Sequence, residues 1–289
     1  MLALLCAIWG MTFPATRAAL ATTDPVHFLA LRFTLAVVLT PLIMALFGAP
    51  VKFAVRRRTA RAWLWGLGVG VLLFVSFALQ TYGMRYTTAS RSAFFTGLLV
   101  VVTPILAALF RTSRMSLVAW LGVPVAAAGI WLLAEPGSGG LNRGDYMTIG
   151  CALVFALQMV ALEAAAKRVA DRWLLTFAQM LVICVGALLW GLWEGAIFKI
   201  TPVGWLAVAY NALFGGVIAV WMQTRYQPMV PAGHAALIFT LEPVFAGIFA
   251  WLLLGEGWTL RGLAGAAMIL AAMAGASRGI KNYELRIKN

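Results

Sequence analysis

About ten stretches of roughly 20 apolar residues follow one another along this chain, joined only by short basic connectors. Each is long enough for a helix to cross the hydrocarbon core of a bilayer, where a helix satisfies every backbone polar group internally. The chain therefore reads as an all-α polytopic membrane protein with ten transmembrane helices. The spans fall near residues 2–21, 26–48, 61–84, 89–111, 116–134, 145–166, 172–194, 203–225, 231–254 and 258–277. Asp24-Pro25, the Pro136-Gly137-Ser138-Gly139-Gly140 run and Thr201-Pro202 punctuate them. Ala19-Leu20-Ala21 looks like a signal-peptide cleavage site, but no positive segment precedes the first span, which therefore reads as a membrane helix.

Composition agrees. Hydrophobic residues make up 63% and charged residues 11%, with a mean hydropathy of +0.93, too few charges to wet a soluble surface. The net charge of +13 sits between apolar blocks and does not interleave with aromatics along a groove, which argues against nucleic acid as a partner. Cys6, Cys151 and Cys184 lie inside apolar spans without metal-ligand spacing, and with only His27 and His234 in the chain neither a metal site nor a cofactor is expected. The sequence contains no His-Glu-x-x-His, no Gly-x-Ser-x-Gly and no second central acid, so it does not read as an enzyme. A P-loop is also missing, so movement of a solute must follow a gradient. No polar pore stripe of the kind a channel needs is visible.

Lys and Arg are distributed unequally over alternate connectors. Fifteen fall on the side that holds both termini and six on the other, with Arg32 inside a span. The excess marks the cytoplasmic side, so the expected arrangement is a multi-pass protein of a bacterial inner membrane with both termini cytoplasmic.

The second half of the chain repeats the first. A register of 143 pairs Gln80-Thr81 with Gln223-Thr224, Ala89 with Ala232, Arg91 with His234, Ser116-Leu117 with Thr259-Leu260 and Gly122 with Gly265. Before the Arg56-Arg57-Arg58 connector the register is 147, pairing Asp24 with Asp171 and Gly48 with Gly195. Each half holds five spans, an odd number, so equivalent segments cross in opposite directions. Residues 1–135 and 144–280 are thus expected to form a 5+5 inverted repeat, with 281–289 as a cytoplasmic tail. Such an architecture lets one site open alternately to either face.

The stretch Tyr86-Thr87-Thr88-Ala89-Ser90-Arg91-Ser92-Ala93-Phe94-Phe95, followed by Thr103-Pro104, resembles the ten-helix EamA-type branch of the drug/metabolite transporter superfamily. So do its counterpart Leu241-Glu242-Pro243-Val244-Phe245-Ala246 with Leu254-Gly255-Glu256, Trp9-Gly10 in the first span and Arg32 in the second. The resemblance covers essentially the whole chain. It implies spans 1 to 4 and 6 to 9 around a central cavity, spans 5 and 10 outside, and export of amino acids, aromatic ones among them, or other small metabolites. Arg111 and Arg114 stand where the first half could have carried the Gly-Glu seen at Gly255-Glu256.

Glu242 is the acid nearest the middle of a span and precedes Pro243, which frees a backbone carbonyl. A carboxyl at that depth must be protonated, paired or wet. It is either a proton-coupling or substrate-ammonium site, or a neutral acid bonded to a neighbouring helix. Arg32 is too deep to snorkel easily, and either holds a substrate carboxylate or caps helix carbonyls; its repeat mate is the neutral Gln179. Gln80 and Gln223, like Arg91 and His234, occupy opposite mouths under the inversion, and read either as gate-lining pairs or as helix-end hydrogen bonds. Trp9 and Phe13 share a helical face, Tyr82 and Tyr86 form a similar pair, and Gln158 and Trp221 lie on the equivalent second-half helices. Together they suit a small-molecule substrate with a flat or apolar side chain, or else serve as packing and interfacial surface. Ala267, Ala271 and Gly275, with Gly66, Gly68 and Gly70, form small-residue faces that pack helices within the chain or across a homodimer. The runner-up to an amino acid exporter is a drug or organic-cation efflux permease, for which Glu242 would be the cation partner.

Overall fold

The computed structural model describes residues 1–46, 57–113, 115–134, 140–195, 200–255, 257 and 259–288. Gly48, Arg56, Arg114, residues 136–139 and Glu256, all of which enter the sequence reading, lie outside the described residues. Among the described residues every regular element is helical. Ten helices run in order: α1 (Leu2–Leu20), α2 (Pro25–Leu46), α3 (Arg57–Gly83), α4 (Ala89–Leu109), α5 (Leu117–Ala134), α6 (Arg143–Ala166), α7 (Arg172–Trp193), α8 (Pro202–Met229), α9 (Ala232–Leu254) and α10 (Leu260–Lys288). Eight are long and apolar enough to cross a membrane, while α5 and α10 carry the shorter apolar stretches Leu117–Leu133 and Leu260–Gly275. The expected tail is a helical continuation of α10 as far as Lys288.

Local chemistry starts these helices where the repeat register says it should. Asp24 Oδ1 accepts the Val26 amide at the head of α2, and its mate Asp171 caps α7 through the Leu174 amide. The Ser116 hydroxyl accepts the Ala119 amide at the start of α5, and its mate Thr259 accepts the Gly262 amide at the start of α10. Each such cap satisfies a backbone donor the first turn leaves free and contributes about 1 kcal/mol. Asn142 and Asp145 form a reciprocal capping box at the head of α6.

Two helices in equivalent positions are broken. α4 consists of Ala89–Gly97 and Leu99–Leu109, and α9 of Ala232–Phe239 and Leu241–Leu254. The interruptions at Leu98 and Thr240 fall within one residue of each other in the 143 register. α8 departs from the α pattern differently, with a π-helical segment at Asn211–Ile218. The Asn211 amide nitrogen donates back to the Ala207 carbonyl at 2.9 Å at its entry.

The packing has the symmetry of the repeat. α5 and α10 pack against each other in antiparallel fashion, joined to the remaining helices mainly along α4 and α9. Their backbones meet at glycine: a Cβ on Gly129 would lie 2.7 Å from the Gly265 carbonyl oxygen, and one on Gly265 would lie 2.5 Å from that of Gly129. Gly122 faces Ala272 in the same seam, and the register exchanges these two contacts with each other. Ala267 and Ala271 point away from the seam and are exposed. In the other half of the bundle α3 packs on α6 and α7, where Gly66 and Gly70 admit Ala178 and Val182, and α8 packs correspondingly on α1 and α2.

Candidate functional site

A cavity of about 20 Å³, room for about one water molecule, lies between the two halves. Trp9 and Thr12 from α1, Ser76, Phe77 and Gln80 from α3, Thr96 from α4, Cys151 and Phe155 from α6, and Glu242 from α9 line it. Both broken helices contribute a residue beside the interruption, Thr96 two residues before Leu98 and Glu242 two residues after Thr240. α5 and α10 contribute none of these lining residues.

Close contact between α1 and α9 brings Trp9 and Glu242 to the same cavity. A Cβ at Gly10 would lie 2.6 Å from Phe245 Cβ and 3.1 Å from the Glu242 carbonyl oxygen, so only glycine lets α1 settle there. Trp9 is held edge-on against Phe155 and Phe239, with ring centroids 5.6 and 5.7 Å apart, and its indole N–H donates to the Gly215 carbonyl at 3.2 Å. The Gln80 amide nitrogen donates to Thr96 Oγ1 at 3.2 Å, and Ser76 Oγ lies 3.2 Å from Cys151 Sγ. Glu242 is 5% exposed. Ion pairs among the described residues join Asp24 to Arg85, Arg91 to Asp145 and Lys167 to Glu163, and none includes Glu242.

The remaining residues singled out from the sequence lie elsewhere. Phe13 is buried in a separate cluster with Met84, Ala93 and Ala246. Arg32 sits beside the cavity, its guanidinium 4.9 Å from the ring centroids of Phe33 and Phe77, with Nη2 3.4 Å from the Gly215 carbonyl oxygen. Tyr82 stacks on Trp190 in an apolar lateral groove between α3, α6 and α7. Gln158 and Gln223 belong to a buried amide cluster: Gln223 Nε2 donates to Gln158 Oε1 at 3.0 Å and to Gln227 Oε1 at 3.1 Å, and Gln179 Nε2 donates to Thr224 Oγ1 at 3.2 Å. Trp221 stacks on Trp173 with centroids 4.9 Å apart. Among the described residues no group of three or more His, Cys, Asp or Glu side chains could hold a metal ion.

Sequence reasoning passed over Ser76, Phe77, Thr96, Cys151 and Phe155 as cavity residues. The signal for Ser76 was present, since it precedes Gln80 by one helical turn and so shares its face. It also passed over two acids on α6. Fully buried Asp145, in the first turn, receives hydrogen bonds from Arg91 and from Thr87 Oγ1, tying down the start of α4. Glu163, near the last turn, accepts from Ser113 Oγ, the Ala232 amide and Lys167 Nζ, tying down the start of α9. Eighteen residues of helix, about 27 Å, separate these two latches. His234 reaches Ser116 Oγ at 3.3 Å on the Glu163 side.

Ten helices in two inverted five-helix halves around a small, partly polar cavity are an architecture of membrane transporters. The profile of the EamA-like transporter family matches the chain over residues 1–134 and again over 142–278, and the chain belongs to that family. An uncharacterized transporter of Archaeoglobus fulgidus is 30% identical over 274 residues, spanning 94% of this chain and 83% of its own length. The uncharacterized transporter YvbV of Bacillus subtilis is 24% identical over 283 residues, spanning 94% and 89%. A solved crystal structure at 15% identity superposes with a TM-score of 0.78 over 98% of this chain and 97% of that one, a likeness of fold.

Proposed function

We propose that this transporter exports amino acids, aromatic or bulky neutral ones foremost, or related small metabolites, across a bacterial inner membrane with both termini in the cytoplasm. The observation that carries the reading is the set of side chains around the cavity, which is closed in this structure and widens when either face opens. Aromatic faces from Trp9, Phe77 and Phe155 suit a flat apolar side chain, the hydroxyls and amide of Thr12, Ser76, Gln80 and Thr96 suit a polar backbone, and Glu242 supplies an unpaired carboxyl for an ammonium group. In this mechanism residues 1–135 and 144–280 move as two units. The Arg91–Asp145 cluster closes one face and the Glu163 cluster the other, and only one opens at a time. Glu242 exchanges a proton for substrate, so that the proton gradient drives export.

Glu242 ringed by aromatics also favours a second reading, efflux of organic cations, because a cation gains from both the carboxylate and the ring faces. Native Cys151 distinguishes the two. In a chain carrying Cys6→Ala and Cys184→Ala, phenylalanine slows alkylation of Cys151 if the first reading holds. Protection by ethidium with none from phenylalanine selects the second, and protection by neither rejects both.

A further inference from the structure

We infer that Arg32 anchors an anion subsite next to the cavity and receives the carboxylate of the transported molecule, so that a zwitterion spans Arg32 and Glu242. The inference rests on the proposed reading of the cavity as the substrate site.

Arg32 lies eight residues into the 22-residue helix α2, clear of either end of that helix, at 2% exposure. Its one hydrogen-bond acceptor among the described residues is the Gly215 oxygen at 3.4 Å, a long contact. Its Nε–H is buried with no partner. The two other neighbours, Phe33 and Phe77, offer ring faces. A guanidinium stays charged in proteins, and a charge at this depth without a counter-charge is costly. No ion pair among the described residues supplies one.

The repeat gives an internal control. The same polar layer exists in the second half, where Gln179 replaces Arg32, Thr224 replaces Thr81 and Gln223 replaces Gln80. There the layer is closed on itself: Gln179 donates to Thr224 and to the Leu175 carbonyl, and Gln223 is bonded to Gln158 and Gln227. In the first half it is open. Thr81 Oγ1 is buried without a partner, as is Arg32 Nε, while Gln80 faces the cavity. Arg32 Nε–H can only donate and the Thr81 hydroxyl can donate, so one acceptor could serve both, and an anion is the acceptor that also balances the guanidinium charge.

The subsite adjoins the cavity through two of its lining residues. Phe77 lines the cavity and lies under the guanidinium, and Thr12 lines it while packing against Gly215, the residue Arg32 touches. The subsite therefore requires a turn of the Phe77 ring to open the guanidinium to the cavity. Trp9 adjoins both charged groups, sharing the Gly215 oxygen with Arg32 and the cavity wall with Glu242.

Binding of three probes to the full chain in nanodiscs tests this: 3-phenylpropionate, which has only the carboxylate, phenethylamine, which has only the ammonium, and L-phenylalanine, which has both. Arg32→Gln should weaken 3-phenylpropionate and L-phenylalanine by at least about tenfold and leave phenethylamine within about twofold. Arg32→Lys, which keeps the charge without the fork, should fall between. Glutamine is what the second half carries at the equivalent position, and a melting curve for each variant checks folding. Equal affinity of 3-phenylpropionate for the wild-type and Arg32→Gln chains overturns the subsite, as does absence of 3-phenylpropionate binding to the wild type, and both leave amino acid transport standing. Arg32-dependent binding of 3-phenylpropionate without binding of L-phenylalanine keeps the subsite and removes the amino acid reading.

Discussion

Gly10 rests against the backbone of Glu242, with room for a hydrogen but not for a methyl group: a Cβ there would lie 3.1 Å from the Glu242 carbonyl oxygen and 2.6 Å from Phe245 Cβ. The contact fixes the distance between α1 and α9 and so the width of the cavity between Trp9 and Glu242. Gly10→Leu should push the helices apart at a cost of about 1–3 kcal/mol. In detergent its unfolding midpoint should fall, and phenylalanine should cease to protect Cys151. A variant that melts and binds like the wild type would show that this contact does not set the cavity.

The seam between α5 and α10 should behave differently. Gly265→Leu meets the Gly129 backbone and should cost a comparable amount, about 1–3 kcal/mol. No cavity residue comes from either helix, so the folded fraction should bind ligand with wild-type affinity. Weakened binding at unchanged stability would contradict the separation of seam and site.

The repeat mates Gln80 and Gln223 have different surroundings and should give different phenotypes. Gln223→Leu breaks the closed amide cluster and should lower stability by about 1–3 kcal/mol, because it leaves Gln158 Oε1 and Gln227 Oε1 without a donor in an apolar interior. Gln80→Leu leaves only Thr96 without its donor and should weaken ligand binding more than it lowers the melting temperature. Denaturation and binding measured side by side on both variants would expose an error if the two phenotypes were exchanged.

The latches on α6 predict opposite effects from the two sides of the membrane. Asp145→Asn removes the partner of Arg91, and Glu163→Gln weakens the hold on Lys167 and on the head of α9. With a membrane-impermeant thiol reagent, Asp145→Asn should speed labelling of Cys151 by about tenfold or more from the face opposite the termini, and Glu163→Gln from the face of the termini, as expected when a buried carboxylate loses its charge-assisted hydrogen bonds. Faster labelling from the same face in both variants would rule these clusters out as opposing gates.

Much of the fold was legible because the signals for it are local. An apolar run of the right length specifies a span, and Asp24, Asp171, Ser116 and Thr259 each start a helix by a hydrogen bond to an amide two or three residues on. These caps are also why the repeat register stood out. Helix faces were not legible in the same way. Inside a bilayer the lipid-facing and protein-facing sides of a helix are equally apolar, so Tyr82 and Tyr86 resemble a cavity pair although Tyr82 stacks on Trp190 in a lateral groove. Trp9 and Arg32 both reach Gly215, about 200 residues away, and no local pattern announces it. Asp145 was passed over because its only local partner is the Asn142 cap, and its bond to Arg91 emerges only when α4 and α6 are side by side.

Flux in proteoliposomes loaded with a mixture of amino acids, with and without an imposed pH gradient and with Glu242→Gln as control, tests the central claim most directly. Aromatic or bulky neutral amino acids should leave selectively, a proton gradient directed into the compartment they leave should accelerate the wild type, and Glu242→Gln should not respond to that gradient. The account is contradicted if ethidium crosses while no amino acid does, or if Glu242→Gln answers the gradient as the wild type does.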